Sequence, residues 1–436
     1  MTPSLALFLT LSSILLIGLP RRRAFVVILF CALYTTLVPV VEIGQVSFTP
    51  IRLLLIVGGL RCIYKRETIE RGFVGLDWIV LMWGFWNLLS SAGHWDPGKT
   101  LVYRAGLVAD TCGLYFLTRV FCQSEEELVS LLKALALMLV PLAIEMIYEV
   151  MTGKNIFSAL GGVPEASTVR EGRVRAQGPF QHAILAGTVG AVILPLMLTI
   201  RKRHRVFALV GCLACLVMVV ASRSTGPILS AMSGIFALYM WCFRYRMRSI
   251  RWLALLGYLL LELVMKAPAY YLMARIDLTG GSTGWHRAEL IRSSIVHLRE
   301  WLFWGADYTR HWMPTGVSWS AQHTDITNYY LKMGVLGGLP LMTLFIAQLW
   351  KGFQYVGRIV RYSANLDTPP KSPTVVWGLG SSLFAVAATS MSVSFFDQSV
   401  SVVNFLLAAT AALWSQARFI STKFPNSKRF TTPSTL

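Results

Sequence analysis

Charge is scarce in this chain, and acid is scarcer than base. Only 14% of the 436 residues are Asp, Glu, Lys or Arg, against about a quarter in a soluble domain. That deficit, together with a mean hydropathy of +0.58, excludes an ordinary soluble globule. Lys and Arg outnumber Asp and Glu by 40 to 21, for a formal net charge of +19. Such an excess invites a nucleic-acid partner. The basic residues, however, cluster between apolar runs, where the positive-inside rule puts them. The expected partner is a lipid bilayer and not a nucleic acid.

Cysteine is equally uninformative. Seven are present, and none falls in the two long polar intervals, so no disulfide framework is expected. Cys212-Leu-Ala-Cys215 has redox-like spacing but apolar flanks and no acidic or His neighbour, which fits small core residues. An internal repeat of spans is absent, and no outer segment carries an Asp-x-Asp pair. A site that works without metal or cofactor is therefore the simpler expectation.

Long apolar runs dominate what remains. They cover 5–19, 24–41, 51–60, 74–92, 101–121 and 128–151, then both sides of Arg201–Arg205, then the stretch after Gly226, then 252–271, 330–350, 375–396 and 400–417. Hydrocarbon about 30 Å thick needs runs of this kind. The predicted fold is all-α: a polytopic transmembrane helical bundle of about 12–13 spans, one integral membrane domain over 1–436. The first run has no basic residue before it and Arg21-Arg22-Arg23 after it, the reverse of a signal peptide. It reads as an uncleaved span with its N-terminus outside.

If the spans alternate, each basic cluster lands on one side. These are Arg21–Arg23, Arg61 to Arg71, Arg201–Arg205, Arg244 to Arg251, Lys351 to Lys371 and the tail with Lys423, Lys428 and Arg429. Three polar intervals land opposite: a short outer loop at 152–181, the turn at Ser222, and a large extracytoplasmic loop at 273–329, which opens with Arg275 and Asp277. Chemistry is expected there.

Four motifs face that side. Arg173-Val-Arg175-Ala-Gln-Gly-Pro-Phe-Gln-His182 makes a Gly-Pro turn, after which a helix is expected near Phe180 or Gln181. A helix N-terminus beside Arg175 is an anion site, unless the Arg only anchors to lipid phosphate. Ser222-Arg223-Ser224-Thr-Gly226 is a very short turn between apolar runs, so Arg223 needs an anion or must snorkel to headgroups. His286, Leu290, Ser293 and His297 recur at helical spacing with Arg287 beside them, on a helix starting near Trp285 that also suits a membrane surface. Last comes His323-Thr-Asp325-Ile-Thr-Asn328-Tyr329, before a run entered through Gly334-Val-Leu-Gly337-Gly338. His323 can take a proton from a hydroxyl, with Asp325 or another carboxylate orienting it. An isolated loop His is otherwise a solvated residue.

The order Arg-x-x-Gly-Pro-Phe-x-His, then Ser-Arg-x-x-Gly, then a long loop ending in His before Gly-Val-Leu-Gly resembles the O-antigen ligase/polymerase superfamily over 170–344. The family's loop typically runs His-Asn-x-Tyr-Leu. Here Thr324 follows His323, and the Tyr-Leu pair comes later as Tyr330-Leu331. The resemblance implies a multi-pass glycosyltransferase of the bacterial inner membrane with a periplasm-facing site. It would move a glycan from undecaprenyl diphosphate to an acceptor hydroxyl. Arg175, Arg223 and Arg287 would hold the donor diphosphate, with Arg forming bidentate phosphate contacts. His323 would serve the acceptor, with Asp325 as a substitute base. His182, His286, Asn328 and Tyr329 are possible glycan contacts. Trp304, Trp312 and Trp319 can stack on sugars or anchor at the interface.

Polymerisation of O-antigen or exopolysaccharide repeats is favoured by the departure after His323. Ligation of the glycan to lipid A–core is the alternative. A transporter is the rival of another class, with Arg104, Asp110, Glu145, Glu262, Lys266 and Asp397 as charges along a path.

Overall fold

A computed structural model describes residues 3–36, 41–43, 46–275, 284–314, 316–317, 320–364 and 373–423. Asp277, Trp319, Lys371, Lys428 and Arg429 lie outside the described residues, as does the side chain of Lys423. Helix makes up 76% and strand 3%.

The apolar runs become helices. The first six are α1 (Pro3–Gly18), α2 (Arg21–Tyr34), α3 (Pro50–Tyr64), α4 (Gly75–Leu89), α5 (Pro97–Phe121) and α6 (Glu125–Thr152). Then follow α7 (Ala183–Thr199), α8 (Arg205–Ala221), α9 (Thr225–Tyr239) and α10 (Met247–Val264). The large loop contributes α11 (Gly284–Val296) and the single turn α12 (Leu298–Trp301). The chain closes with α13 (Tyr329–Ala364), α14 (Pro373–Ser390) and α15 (Val400–Lys423). Two antiparallel ribbons interrupt this order: β1 (Val41–Ile43) with β2 (Val46–Phe48), and β3 (Thr168–Arg170) with β4 (Arg173–Arg175).

Five helices are long and apolar enough to cross a membrane: Glu125–Thr152, Ala183–Lys202, Thr225–Phe243, Tyr329–Ser363 and Val400–Ile420. Six qualify if Met247–Val264 and the bent Ala269–Arg275 count as one. The 12–13 spans expected from hydropathy exceed this for a geometric reason. Helices α2, α3 and α4 have only 14, 15 and 15 residues. At 1.5 Å per residue that is about 21–23 Å, short of the hydrocarbon thickness. Helix α5 has the length but carries Lys99, Arg104, Asp110 and Arg119.

The basic connections meet at one end of the bundle. Arg21 pairs with Glu70 at 2.7 Å and with Glu127 at 3.0 Å. Arg61 pairs with Glu67 at 2.7 Å and also donates to the carbonyls of Leu16 and Leu19. Arg203 reaches Glu125 at 3.6 Å, and Arg71 donates to the Gln123 carbonyl at 2.5 Å. Glu125 and Glu127, acidic residues on the basic side, are thus counter-ions there. The polar intervals at 152–181, Ser222 and 284–328 meet at the opposite end, as the contacts below show.

Helix α7 runs between these ends and is apolar on every face, as a central helix must be. All but three of its 17 residues are buried. It starts at the polar end, so the residues just before it are held by the core.

Helix α13 is broken at Gly337–Gly338, where Gly338 takes φ +73°. That conformation favours glycine, and a Cβ there would collide with the Phe303 carbonyl. The break frees backbone carbonyls that need donors. Ala306 N donates to Val335 O at 2.9 Å, Trp86 Nε1 to Gly337 O at 2.7 Å, and Arg104 to Leu336 O. Leu339 N in turn donates to Leu302 O at 2.9 Å. The Gly-Val-Leu-Gly-Gly stretch therefore fastens α13 to α4, α5 and the segment after α12.

Candidate functional site

Arg175 and the Ser222 turn form one unit. Residues β3 and β4 make a tight hairpin, with Glu171 at φ +53° and Gly172 at φ +72°, the two positive values that a two-residue hairpin turn uses. Past the hairpin, Ala176 N donates to Ala221 O at 3.1 Å. The Arg175 guanidinium donates through Nε to the Ser222 carbonyl at 3.3 Å and through Nη2 to Ser224 Oγ at 2.5 Å. Arg175 is thereby 9% exposed. Above it Arg223 takes φ +44°, uncommon for a residue with a Cβ. Its side chain is exposed and has no hydrogen-bond partner among the described residues. One arginine fixes the turn, and the turn displays the other.

The helix entrance differs from expectation. Helix α7 begins at Ala183, and His182 is its N-cap: Nδ1 accepts from Ile184 N at 3.1 Å. The N–H groups of the preceding turn already have carboxylate partners. Glu149 accepts from Gln177 N at 2.9 Å and Gly178 N at 2.8 Å, and Asp397 accepts from Gln181 N at 3.0 Å. Asn155 and Gln398 hold the carbonyls of Gly178 and Pro179, both at 2.7 Å. The expected anion site at the helix N-terminus is therefore occupied by the protein's own acids, and the arginines must act without it. Burial, then the charges of Arg175 and Arg170, push the His182 imidazole down to about 4. It is neutral, with Nδ1 free to accept.

Helix α11 covers Gly284–Val296, the stretch in which a helix beginning near Trp285 was expected. His286 Nε2 donates to the Asp325 carbonyl at 3.1 Å, so the helix is tied to the end of the loop. Arg287 Nε is buried without a partner among the described residues. Burial holds the Arg287 guanidinium below its usual range; Asp325 acts against this, and Arg170 reinforces it. Burial and then Arg170 likewise lower Arg175. Arg170 thus lies electrically next to Arg175, His182 and Arg287, with Asp325 the carboxylate that answers Arg287. Arg170 carried no motif in the sequence beyond its place in a polar stretch.

His323 is half-buried. Burial pulls its imidazole down, and the Asp307 charge pushes it back up. Asp307 is thus a second carboxylate whose charge reaches His323, beside Asp325, whose charge reaches Arg287. Asp307 is itself positioned: Oδ1 lies 2.5 Å from His94 Nδ1, and Oδ2 accepts from Trp95 N at 2.8 Å. Arg104 Nη2 donates to His94 Nε2 at 2.7 Å. An Arg N–H can only donate, and His94 Nε2 also faces the carbonyls of Trp304 at 3.1 Å and Leu336 at 3.2 Å, so both a donor and acceptors surround that nitrogen while Nδ1 faces Asp307. Arg104 also donates to Ser90 Oγ at 2.6 Å and the Asn87 carbonyl at 3.1 Å. The Arg104–His94–Asp307 chain joins positions over two hundred residues apart, and no local pattern announces it.

Two expected glycan contacts are otherwise engaged. Asn328 Oδ1 caps α13 by accepting from Leu331 N at 3.1 Å. Tyr329 is 8% exposed, with Phe345 and Phe395 edge-on to its ring. A sugar has little of either side chain to touch. Among the loop tryptophans, Trp304 stacks on Trp86 at 5.9 Å, and Trp312 is 4% exposed.

The charges that would mark a transport path have fixed local partners in most cases. Asp110 pairs with Arg52 at 2.9 Å, Glu145 accepts from Ile156 N at 3.3 Å, and Glu262 accepts from Ala269 N at 2.9 Å. Asp397 lies between α14 and α15 and not within a helix. Lys266 is exposed beyond α10. No protein-family model and no curated protein sequence matches this chain.

Proposed function

We propose that this protein is a membrane glycosyltransferase of the O-antigen ligase/polymerase type, acting at the outer face of the bacterial inner membrane. The observation that carries the reading is that the charge of Arg170 reaches Arg175, His182 and Arg287, with His182 held neutral and the carboxylate of Asp325 acting on Arg287. Arg223 stands displayed on the adjoining turn. A cationic group of this size at a bundle end suits a diphosphate, whose leaving charge must be offset as the glycosyl bond breaks. Undecaprenyl diphosphate is the donor in this reading, with its lipid in the bilayer and its glycan above.

The acceptor hydroxyl attacks the anomeric carbon. His323 receives the hydroxyl proton, and the lipid diphosphate departs with the electrons of the broken C–O bond. Asp307 steadies His323, and Arg104 and His94 steady Asp307. General-base work of this kind contributes about 10²–10⁴-fold. The acceptor is a second lipid-linked repeat, which makes the product a polymer.

The test is glycan transfer by the purified chain in vesicles supplied with lipid-linked repeat units. Arg175→Ala and Arg223→Ala should abolish the ladder on a gel while the protein still inserts. Arg223→Lys should restore part of it, because a point charge cannot reproduce the guanidinium fork. A full ladder from Arg223→Ala would reduce that residue to a lipid anchor. Product formed only when lipid A–core is supplied would assign ligation. A reporter fused at Ser318 that proves cytoplasmic would remove the whole reading, because the donor glycan is presented outside.

A further inference from the structure

The corner between α11 and α12 gathers three side chains that the glycan-transfer reading does not use. His297 precedes α12 directly and Glu300 lies in its first turn, so backbone geometry brings them to one side. His297 Nδ1 is 2.7 Å from Glu300 Oε1. His311 arrives from the separate turn Arg310–Trp312, with Nε2 3.0 Å from the same oxygen. One ligand atom from each residue lies within 4.8 Å of the other two. The two imidazole rings stand edge to face, 4.6 Å apart at 86°.

We propose that His297, Glu300 and His311 form a binding site for one divalent cation of the Zn²⁺ class. Two imidazoles and one carboxylate are a borderline donor set that suits zinc and disfavours Mg²⁺ and Ca²⁺, which take oxygen ligands. Bonds of about 2.0–2.1 Å in a tetrahedron place neighbouring ligand atoms about 3.3 Å apart. The two imidazole nitrogens, 2.7 and 3.0 Å from Glu300 Oε1, must move away from it by about 0.6 and about 0.3 Å to admit the ion.

The surroundings are those of a held site and not of a loose surface pair. Trp312 Nε1 donates to Glu300 Oε2 at 2.9 Å, which aims the carboxylate. The Trp312 ring stacks on His297 at 5.9 Å, and Tyr308 stacks on His311 at 5.2 Å. Trp312 is packed with Leu290, Trp301 and Met313 in a small core of its own, so the support is rigid. Outer partners of this kind fix ligand orientation and affinity. The Arg310 guanidinium is turned to the carbonyls of Met313 and Pro314, at 2.8 and 3.2 Å. Side-chain exposures of 27% for His297, 38% for Glu300 and 37% for His311 leave a fourth position open to water. A bound ion would staple residues 297–300 to residue 311, across the segment that carries Asp307.

The test uses the full chain in detergent, without a polyhistidine tag, stripped by a chelator and then titrated with Zn²⁺ by calorimetry. One zinc per chain is expected, retained in excess Mg²⁺, with a rise in the thermal midpoint. His311→Ala should lose both the binding and the rise. Glu300→Gln keeps the shape and should also lose them, which guards against a folding defect in the alanine variant. Trp312→Phe keeps the ring and removes the N–H, and should weaken binding about 10–100-fold. Equal zinc affinity in wild type, His311→Ala and Glu300→Gln would overturn the proposal. So would displacement of Zn²⁺ by Mg²⁺, or an unchanged thermal midpoint in the wild type.

Discussion

His182 makes a quantitative test of the polar end of the bundle, independent of any substrate. Its folded value of about 4 lies below the ordinary 6.5. Between those values the unfolded chain binds a proton that the folded chain refuses. The stability that neutral His182 contributes is therefore present above pH 6.5 and is lost as pH falls toward 4. The loss between pH 7 and pH 5 is about 2 kcal/mol. The structural cause is direct: protonating Nδ1 destroys the acceptor that caps Ile184 N, and it adds a cation beside Arg175 and Arg170. His182→Asn separates these effects. Asn is among the strongest N-caps, so the variant should match the wild type within about 1 kcal/mol at pH 7. Its stability should then fall by about 2 kcal/mol less than the wild type's on going to pH 5. Reversible unfolding titrations in mixed micelles at both pH values give the comparison. Equal pH slopes for the two proteins would mean that His182 is not held neutral by its neighbours, and would weaken the case for an arginine group there.

Three further outcomes follow from the geometry. Asp307→Asn should move the acidic limb of the transfer pH profile to lower pH, because the charge that raises His323 is gone; a shift from Asp325→Asn and none from Asp307→Asn would reverse the assignment. Gly338→Ala should destabilise the protein by more than the roughly 1–2 kcal/mol that a left-handed residue costs, since its Cβ also meets the Phe303 carbonyl, and an unchanged unfolding midpoint would show that the break is not rigid. Arg104→Met should cost about 3 kcal/mol or more, because Leu336 O, His94 and Ser90 lose their shared donor at a residue 1% exposed; urea or thermal unfolding reads this directly.

Most of the helices were legible from hydropathy, and the misses have physical causes. The run at 330–350 lies in one candidate span, Tyr329–Ser363, but its break was hidden because Leu, Met and Phe continue on both sides of Gly337-Gly338. Only contact with Phe303 and Trp86 shows that the helix breaks there. The Gly-Pro turn was recognisable before α7. Its occupation by the protein's own acids was not, because Glu149 and Asp397 arrive from 28 residues before Gln177 and 216 residues after Gln181.

The sequence by itself determined that this molecule is mostly helical and rich in apolar helices that could span a membrane. Apolar runs must be helical where backbone groups leave water, and clustered Lys and Arg mark one end of the bundle whatever the packing. It also singled out Arg175, Arg223, Arg287 and His323, since such side chains between apolar runs need a reason. Pairing was decided only by the tertiary structure. A hydrogen bond or an ion pair acts over a few ångströms of space, and sequence distance does not constrain it. Hence the charge of Asp307 reaches His323, Arg170 joins Arg175 and Arg287, and Glu300 meets both His297 and His311 across a corner that no spacing rule describes.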